Sequence, residues 1–281
     1  MLKSLIHILS LLAFVVASTS AAAESSKLAF SGVVLEQGNN TALNNFTQWL
    51  AKKVNYPLEP SYKDSYQGIT DYLQEHKQYL AWTCGAPFVQ DHQRYGQQLI
   101  AIPLFKGSPT YHSLVISKQG RVEKALLDFK GKTFAYSDDR SNSGFVVPSY
   151  ALKQHGIDIH QYFRLLLHTG SHQASIDAVL NDLVDVANVD EYILVEYLKS
   201  HPEDKGKLAI LERFGPFPFT PIVAGRGTPP DVVKRLQQAL LSMSNDKEGK
   251  QILDKLGLDG FVVKPVSFYQ PIADMLKELK E

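Results

Sequence analysis

Cysteine is almost absent from this 281-residue chain: Cys84 stands alone, so no disulfide can form within it and a packed core must supply its stability. A lone cysteine is either a reactive thiol or a buried small hydrophobe, and the second is the commoner use. Net charge is absent too, because 29 basic residues balance 29 acidic ones. The two signs are interspersed, with no basic block to follow a phosphate backbone, which excludes nucleic acid as a partner. Catalytic signatures are missing as well: there is no H-E-x-x-H, no G-x-S-x-G elbow and no phosphate- or dinucleotide-binding glycine pattern. His168 and His172 are four apart, but Gly170 and a helix start fall between them, so they do not share a helical face as a metal pair would. Neither an enzyme nor a metal or cofactor is expected.

Long apolar runs are lacking except for one at the start. Lys3 is followed by apolar residues from Leu5 to Ala17 and small ones from Ser18 to Ala23. The run is shorter than the roughly 20 residues a membrane span needs, and an A-x-A site follows it, which is the layout of a secretory signal peptide. Residues 1–23 are expected to be removed, with no cysteine near their end to carry a lipid. The mature chain is then a monomer in the periplasm, near neutral in charge and not embedded in a membrane.

What is present after that is α/β alternation. Lys27 to Leu35 reads as a strand, and 40–54 as an amphipathic helix with Leu43, Phe46, Leu50 and Val54 at helical spacing. Ser65 to His76 reads as a helix, and Gln78 to Thr83 as a strand stopped by Gly85 and Pro87. Gln98 to Pro103 and Tyr111 to Ser117 are strands joined by a turn at Gly107 to Pro109. The second half continues the alternation, with strands at Thr133 to Tyr136, Val184 to Val189 and Lys207 to Glu212, and helices at Ser143 to His155, Ser171 to Leu183 and Glu191 to Ser200. A short strand, Ile222 to Ala224, leads to a helix that Thr228 can cap, with Pro229 and Pro230 in its first turn. Continuous alternation without a linker is either one wide sheet or two lobes sharing crossovers. The Gly/Pro-rich passages 107–109 and 215–221 are natural crossing points, and two lobes are favoured: 24–108 with 222–281, and 109–221.

Three polar helix starts carry the chemistry. At Ser141-Asn142-Ser143-Gly144 a strand gives way to a helix; free backbone N–H groups and the positive end of the dipole there favour an anion. The serines and Asn142 add neutral donors, and Gly144 admits close approach. The plain alternative is an ordinary N-cap and solvated turn. His172 falls in the first turn of a second helix, where its ring can donate to an anion or simply sit at a cap. Asp190 lies at a strand's C-terminal end, the side that faces the ligand crevice in open α/β sheets; it either holds a ligand or caps the next helix. Phe214, Phe217 and Phe219 either line an apolar pocket or pack a crossover, the second being favoured.

In this order the motifs resemble the periplasmic phosphonate, phosphite and phosphate binding proteins of ABC importers over essentially the whole mature length. The matching stretches are Asp64-Ser65-Tyr66, Gly85-Ala86-Pro87-Phe88, Ser141 to Pro148, Gly170-Ser171-His172, Val184-Asp185-Val186-Ala187 and Phe217 to Val223. The resemblance implies an α/β fold of the type II periplasmic binding architecture, two lobes joined by crossover strands with a ligand cleft between them. It further implies a small oxyanion ligand and an ABC transporter permease as partner. Ser141, Asn142 and Ser143 match the family's hydroxyl-rich cradle, His172 a second-lobe donor and Tyr66 a first-lobe aromatic donor. There are three departures. Asn142 replaces the cradle's middle hydroxyl, Phe88 stands where a tyrosine is common, and Tyr192 and Thr220 stand where two carboxylates hold the ammonium of an aminoalkylphosphonate. An ammonium without a carboxylate in a desolvated cleft binds poorly, so the expected ligand is phosphate, phosphite or a phosphonate with a neutral tail. A different organic ligand in the same fold, or a ligand-loaded subunit docking onto a membrane sensor, are the other readings.

Overall fold

The structure, a computed structural model, describes residues 26–31 and 40–280; the expected leader and residues 32–35 of the first expected strand lie outside them. In chain order, β1 (Ser26–Ser31), α1 (Asn40–Val54), β2 (Leu58–Lys63), α2 (Tyr66–Glu75), β3 (Leu80–Trp82), α3 (Gly85–Tyr95) and β4 (Gln98–Leu104) build the first half of one lobe. The other lobe follows with β5 (Thr110–Lys118), β6 (Thr133–Tyr136), a π-helical turn (Asn142–Val146), α4 (Val147–Lys153), α5 (Ile159–Tyr162), β7 (Leu165–His168), α6 (His172–Leu180), β8 (Val186–Asp190), α7 (Glu191–Ser200) and β9 (Leu208–Pro218). The chain then returns through β10 (Ile222–Ala224), α8 (Pro230–Ser242), α9 (Lys247–Leu256), β11 (Gly260–Val262) and α10 (Gln270–Lys280).

The strands form two sheets, one ordered β11-β4-β10-β3-β1-β2 and the other β7-β6-β8-β5-β9. β1 runs parallel to β2 and β3, and β6 parallel to β7 and β8. The parallel strands therefore end on one side of each sheet and feed helices there. The chain passes between the sheets twice, after β4 and after β9. The first passage is a tight turn in which Phe105 and Ser108 pair and Gly107 takes φ 73°. The second is Phe219–Pro221, and the two are tied together by Phe219 N–H donating to Pro109 O at 2.9 Å. One continuous apolar core joins the lobes, running from Phe30, Phe46 and Trp82 to Tyr111, Val189 and Tyr192. Phe219 is buried in that core, edge-on to Tyr111 and Tyr192 and stacked on Phe105.

Four local features differ from the expectations. β3 stops before Gly85 and Pro87 as expected, but these two residues also open α3, whose first turn needs no proline N–H and whose Phe88 and Val89 are buried. The helix after Ser141 begins with a π turn, Val146 N–H reaching Ser141 O at 3.0 Å. β9 continues through Pro216 to Pro218, which an edge strand tolerates because its outer side forms no ladder. Pro229, not Thr228, occupies the cap position of α8.

Candidate functional site

Five helical starts meet where the parallel strands end. Ser65, Ser141, Ser171 and Asp190 cap α2, the π turn, α6 and α7, each side-chain oxygen accepting from a first-turn N–H. Cys84 opens α3 without such a bond. Two bonds link the starts across the lobes, Tyr66 N–H donating to Asp138 Oδ2 at 3.2 Å and Asn142 N–H to Cys84 Sγ at 3.3 Å, and within the second lobe Asp190 N–H donates to His172 Nδ1 at 3.4 Å. Converging N-termini bring positive dipole ends together here, and Tyr66, Ser141, Asn142, Ser143, His172 and Asp190 are all buried.

His172 is the centre of the arrangement. A backbone N–H only donates, so the bond from Asp190 makes Nδ1 an acceptor and leaves the ring proton on Nε2. Burial drives the imidazole pKa down to about 3, so the ring stays neutral. Its Nε2 faces three hydroxyls, Ser137 at 3.4 Å, Ser141 at 3.4 Å and Ser143 at 3.5 Å. A neutral donor of fixed tautomer thus points into a ring of serines. Gly144 forms its floor: a Cβ there would lie 2.6 Å from Ser137 Oγ, 3.0 Å from Ser141 Oγ and 3.3 Å from His172 Cε1.

Tyr66 brings an aromatic hydroxyl from the first lobe. That hydroxyl has the Cys84 thiol beside it but no oxygen or nitrogen partner among the described residues, and burial raises its pKa, so it remains an O–H donor. Asn142 donates through Nδ2 to the Tyr111 hydroxyl at 3.0 Å while its Oδ1 has no partner. Ser143 is positioned from behind, its carbonyl accepting from Ser113 Oγ at 2.8 Å. Asp190 caps α7 and orients His172; burial lifts its carboxyl to about 7. Cys84 is buried and its thiol is pushed up to about 11, so it stays protonated rather than a reactive thiolate.

Of the residues singled out in the sequence, Tyr66, Ser141, Asn142, Ser143, Gly144, His172 and Asp190 come together here. Phe88 instead packs one turn into α3 against Tyr269 and His92. Tyr192 and Thr220 are buried with their hydroxyls engaged inside the protein, Tyr192 donating to Leu256 O at 2.7 Å and Thr220 accepting from Trp82 Nε1 at 3.1 Å. Ser137 and Asp138 join the site from the polar turn that leads from β6 into the cradle. Tyr111 joins it as well, although no motif in the sequence singles it out and its only signal there is position, at the start of β5.

Arg140, the cation next to the cradle in sequence, turns away from it. Its guanidinium reaches across to the first lobe and bonds Gln67, Thr70, Gln90 and the buried Asp91, the last at 2.7 Å. These bonds exist only with the lobes together, so Arg140→Ala is expected to weaken ligand binding about tenfold, about 1.4 kcal/mol, without touching the ligand. Titration calorimetry checks this, and an unchanged affinity would show that the contact does not contribute to closure.

The sequence model of a family described as "ABC transporter, phosphonate, periplasmic substrate-binding protein" matches residues 35–264. The phosphonates-binding periplasmic protein of Escherichia coli K12 is 26% identical over 218 residues, 75% of this chain and 64% of that protein. A probable phosphite binding protein of an ABC transporter from Prochlorococcus marinus is 25% identical over 168 residues, 56% of this chain and 55% of that protein. The chain thus spans less than two thirds of the length of these curated relatives, 64% of the first and 55% of the second. Among solved structures, the binding protein component of an ABC phosphonate transporter from Pseudomonas aeruginosa superposes with a TM-score of 0.83 at 21% identity, covering 92% of this chain and 87% of that one. The Prochlorococcus protein in complex with methylphosphonate gives 0.81 at 20% identity, covering 91% and 98%. These likenesses establish the type II periplasmic binding fold, and the relatives are substrate-binding transport proteins rather than enzymes.

Proposed function

The chain belongs to the periplasmic phosphonate substrate-binding family of ABC transporters, and we propose that it is the periplasmic solute-binding component of such an importer, capturing a phosphate-like oxyanion. The observation that carries this reading is His172, a neutral donor of fixed tautomer facing the hydroxyls of Ser137, Ser141 and Ser143 among converging helix N-termini. Such donors stabilise an oxyanion without a lysine or arginine. In this reading residues 24–108 with 222–281 form one lobe and 109–221 the other, and they close on the ligand about the two crossings. Tyr66 contributes from the first lobe; Ser141, Asn142, Ser143, Gly144 and His172 contribute from the second. Asp190 acts through His172. The ligand is phosphate, phosphite or a phosphonate with a neutral tail, because Tyr192 and Thr220 offer no carboxylate and spend their hydroxyls internally. The loaded protein then docks onto the permease.

A thermal-shift screen tests the reading against phosphate, phosphite, methylphosphonate, aminoethylphosphonate, sulfate and carboxylates. A ligand present at about 100 times its Kd stabilises the folded state by about 2.7 kcal/mol, a clear rise in Tm. A phosphorus oxyanion without a cationic tail is expected to give that rise. A rise with an organic ligand and none with any phosphorus oxyanion would refute the reading.

A further inference from the structure

We propose that the cradle takes a singly charged phosphorus oxyanion that still carries a P–O–H proton, and that it rejects sulfate. The inference rests on the reading above and narrows it to a protonation state.

The first support is charge. Among the described residues, the titratable groups around the cradle are Tyr66 from α2, Cys84 at the head of α3, Tyr111 from β5, Asp138 after β6, His172 from α6 and Asp190 at the end of β8. None of them is a cation at neutral pH: burial holds the phenols and thiol protonated and the imidazole neutral. Farther out, His168 and Asp139 act on Asp138, and Glu191 acts on Asp190. Arg140 is bound to Asp91, and Lys106, His112 and Arg213 are bound to Glu191. The cradle therefore ranges from neutral to negative as Asp138 and Asp190 ionise. Helix dipoles and hydroxyls suit one negative charge there; a second finds no counter-cation among the described residues.

The second support is a pair of buried amide oxygens without donors. The Ser143 carbonyl can only accept, so Ser113 spends its single O–H on it. Asn188, 3.0 Å from Ser113 Oγ, must then present Nδ2 to that oxygen, which leaves its buried Oδ1 without a partner. Asn142 Oδ1, in the cradle itself, is also buried and unpartnered. A fully deprotonated oxyanion carries only acceptors and leaves such an oxygen unsatisfied, at a cost of about 1–3 kcal/mol. A P–O–H supplies the missing donor. Asn142 stands where the resemblance places a hydroxyl, which could have turned its own proton to a dianion.

Titration calorimetry on the mature protein separates charge from proton with three probes. Methylphosphonate loses its P–O–H at its second ionisation; methanesulfonate has the same shape and a single charge but no proton; sulfate is a dianion. Methylphosphonate is expected to bind at least about tenfold more tightly below its second ionisation than above it. Methanesulfonate should bind at least about tenfold more weakly than methylphosphonate, and sulfate should show no heat of binding. Repeated with phosphite, the midpoint of the pH dependence should move with that ligand's own second ionisation. A midpoint shared by both ligands would assign the transition to a protein group such as Asp190 and overturn the inference. Methanesulfonate or sulfate binding as tightly as methylphosphonate would overturn it as well. In both cases the proposed function would stand, whereas failure of every phosphorus oxyanion to bind at any pH would remove that function and the inference with it.

Discussion

Gly144→Ala is expected to cost about 100-fold in affinity for the phosphorus oxyanion, roughly 2.7 kcal/mol, while leaving the Tm of the empty protein within a few degrees of the parent. The two halves of this expectation have separate causes. Gly144 lies in a helical turn with an ordinary backbone conformation and does not need left-handed freedom. Alanine there gains about 0.5–1 kcal/mol of helical preference over glycine, which offsets the cost of crowding. The added methyl, however, would sit 2.6 Å from Ser137 Oγ and within 3.3 Å of His172 Cε1. Ser137 must swing away, and the methyl then occupies the space that the serine hydroxyls and the imidazole share. Calorimetric titration and a melting curve of the same sample read both quantities. Unchanged binding would place the ligand elsewhere, and a collapsed Tm would make Gly144 a packing glycine rather than a cradle floor.

How much of this was legible in the sequence depends on whether the determining contact is local. The helix at Asn40–Val54 is found within its bounds because Leu43, Phe46, Leu50 and Val54 mark its buried face. Glu191–Ser200 is found because a strand end and an Asx cap precede it. The start of α3 misleads because proline and glycine terminate most segments but are harmless in a helix's first turn, where no intrahelical N–H bond is made. A π turn and an α turn share one apolar pattern, so nothing in Ser141 to Pro148 distinguishes i→i+5 from i→i+4 bonding. The cradle serines and His172 are readable as polar helix starts. The tautomer of His172 is not, since it is set by Asp190 N–H, which the fold alone brings near. Arg140 is next to the cradle in sequence and faces Asp91 in space for the same kind of reason: its partners lie on α2 and α3 of the other lobe.

Alanine at Ser143 and His172 together should weaken oxyanion binding by about a thousandfold or more, since each donor to a charged ligand is worth about 1.5–3 kcal/mol. The single variants then separate binding from scaffolding. Ser143→Ala removes a hydroxyl that faces His172, whereas the bond to Ser113 uses the Ser143 carbonyl; affinity falls and the Tm holds. Ser141→Ala also removes the acceptor for Gly144 N–H, a cap worth about 1 kcal/mol, so affinity and stability fall together. His172→Ala leaves the buried Asp190 N–H without its acceptor, costing about 1–3 kcal/mol of stability besides the affinity. It also changes the response to acid. In the parent protein the folded pKa of His172 is depressed to about 3, below an unfolded value of about 6.5. Between those values the unfolded chain holds the extra proton, so stability falls as pH drops below about 6.5. The variant, lacking the imidazole, should lose less stability over that window than the parent does. An alanine pair that still binds within tenfold, or a His172→Ala protein with the parent's acid response, would remove His172 from the centre of the site.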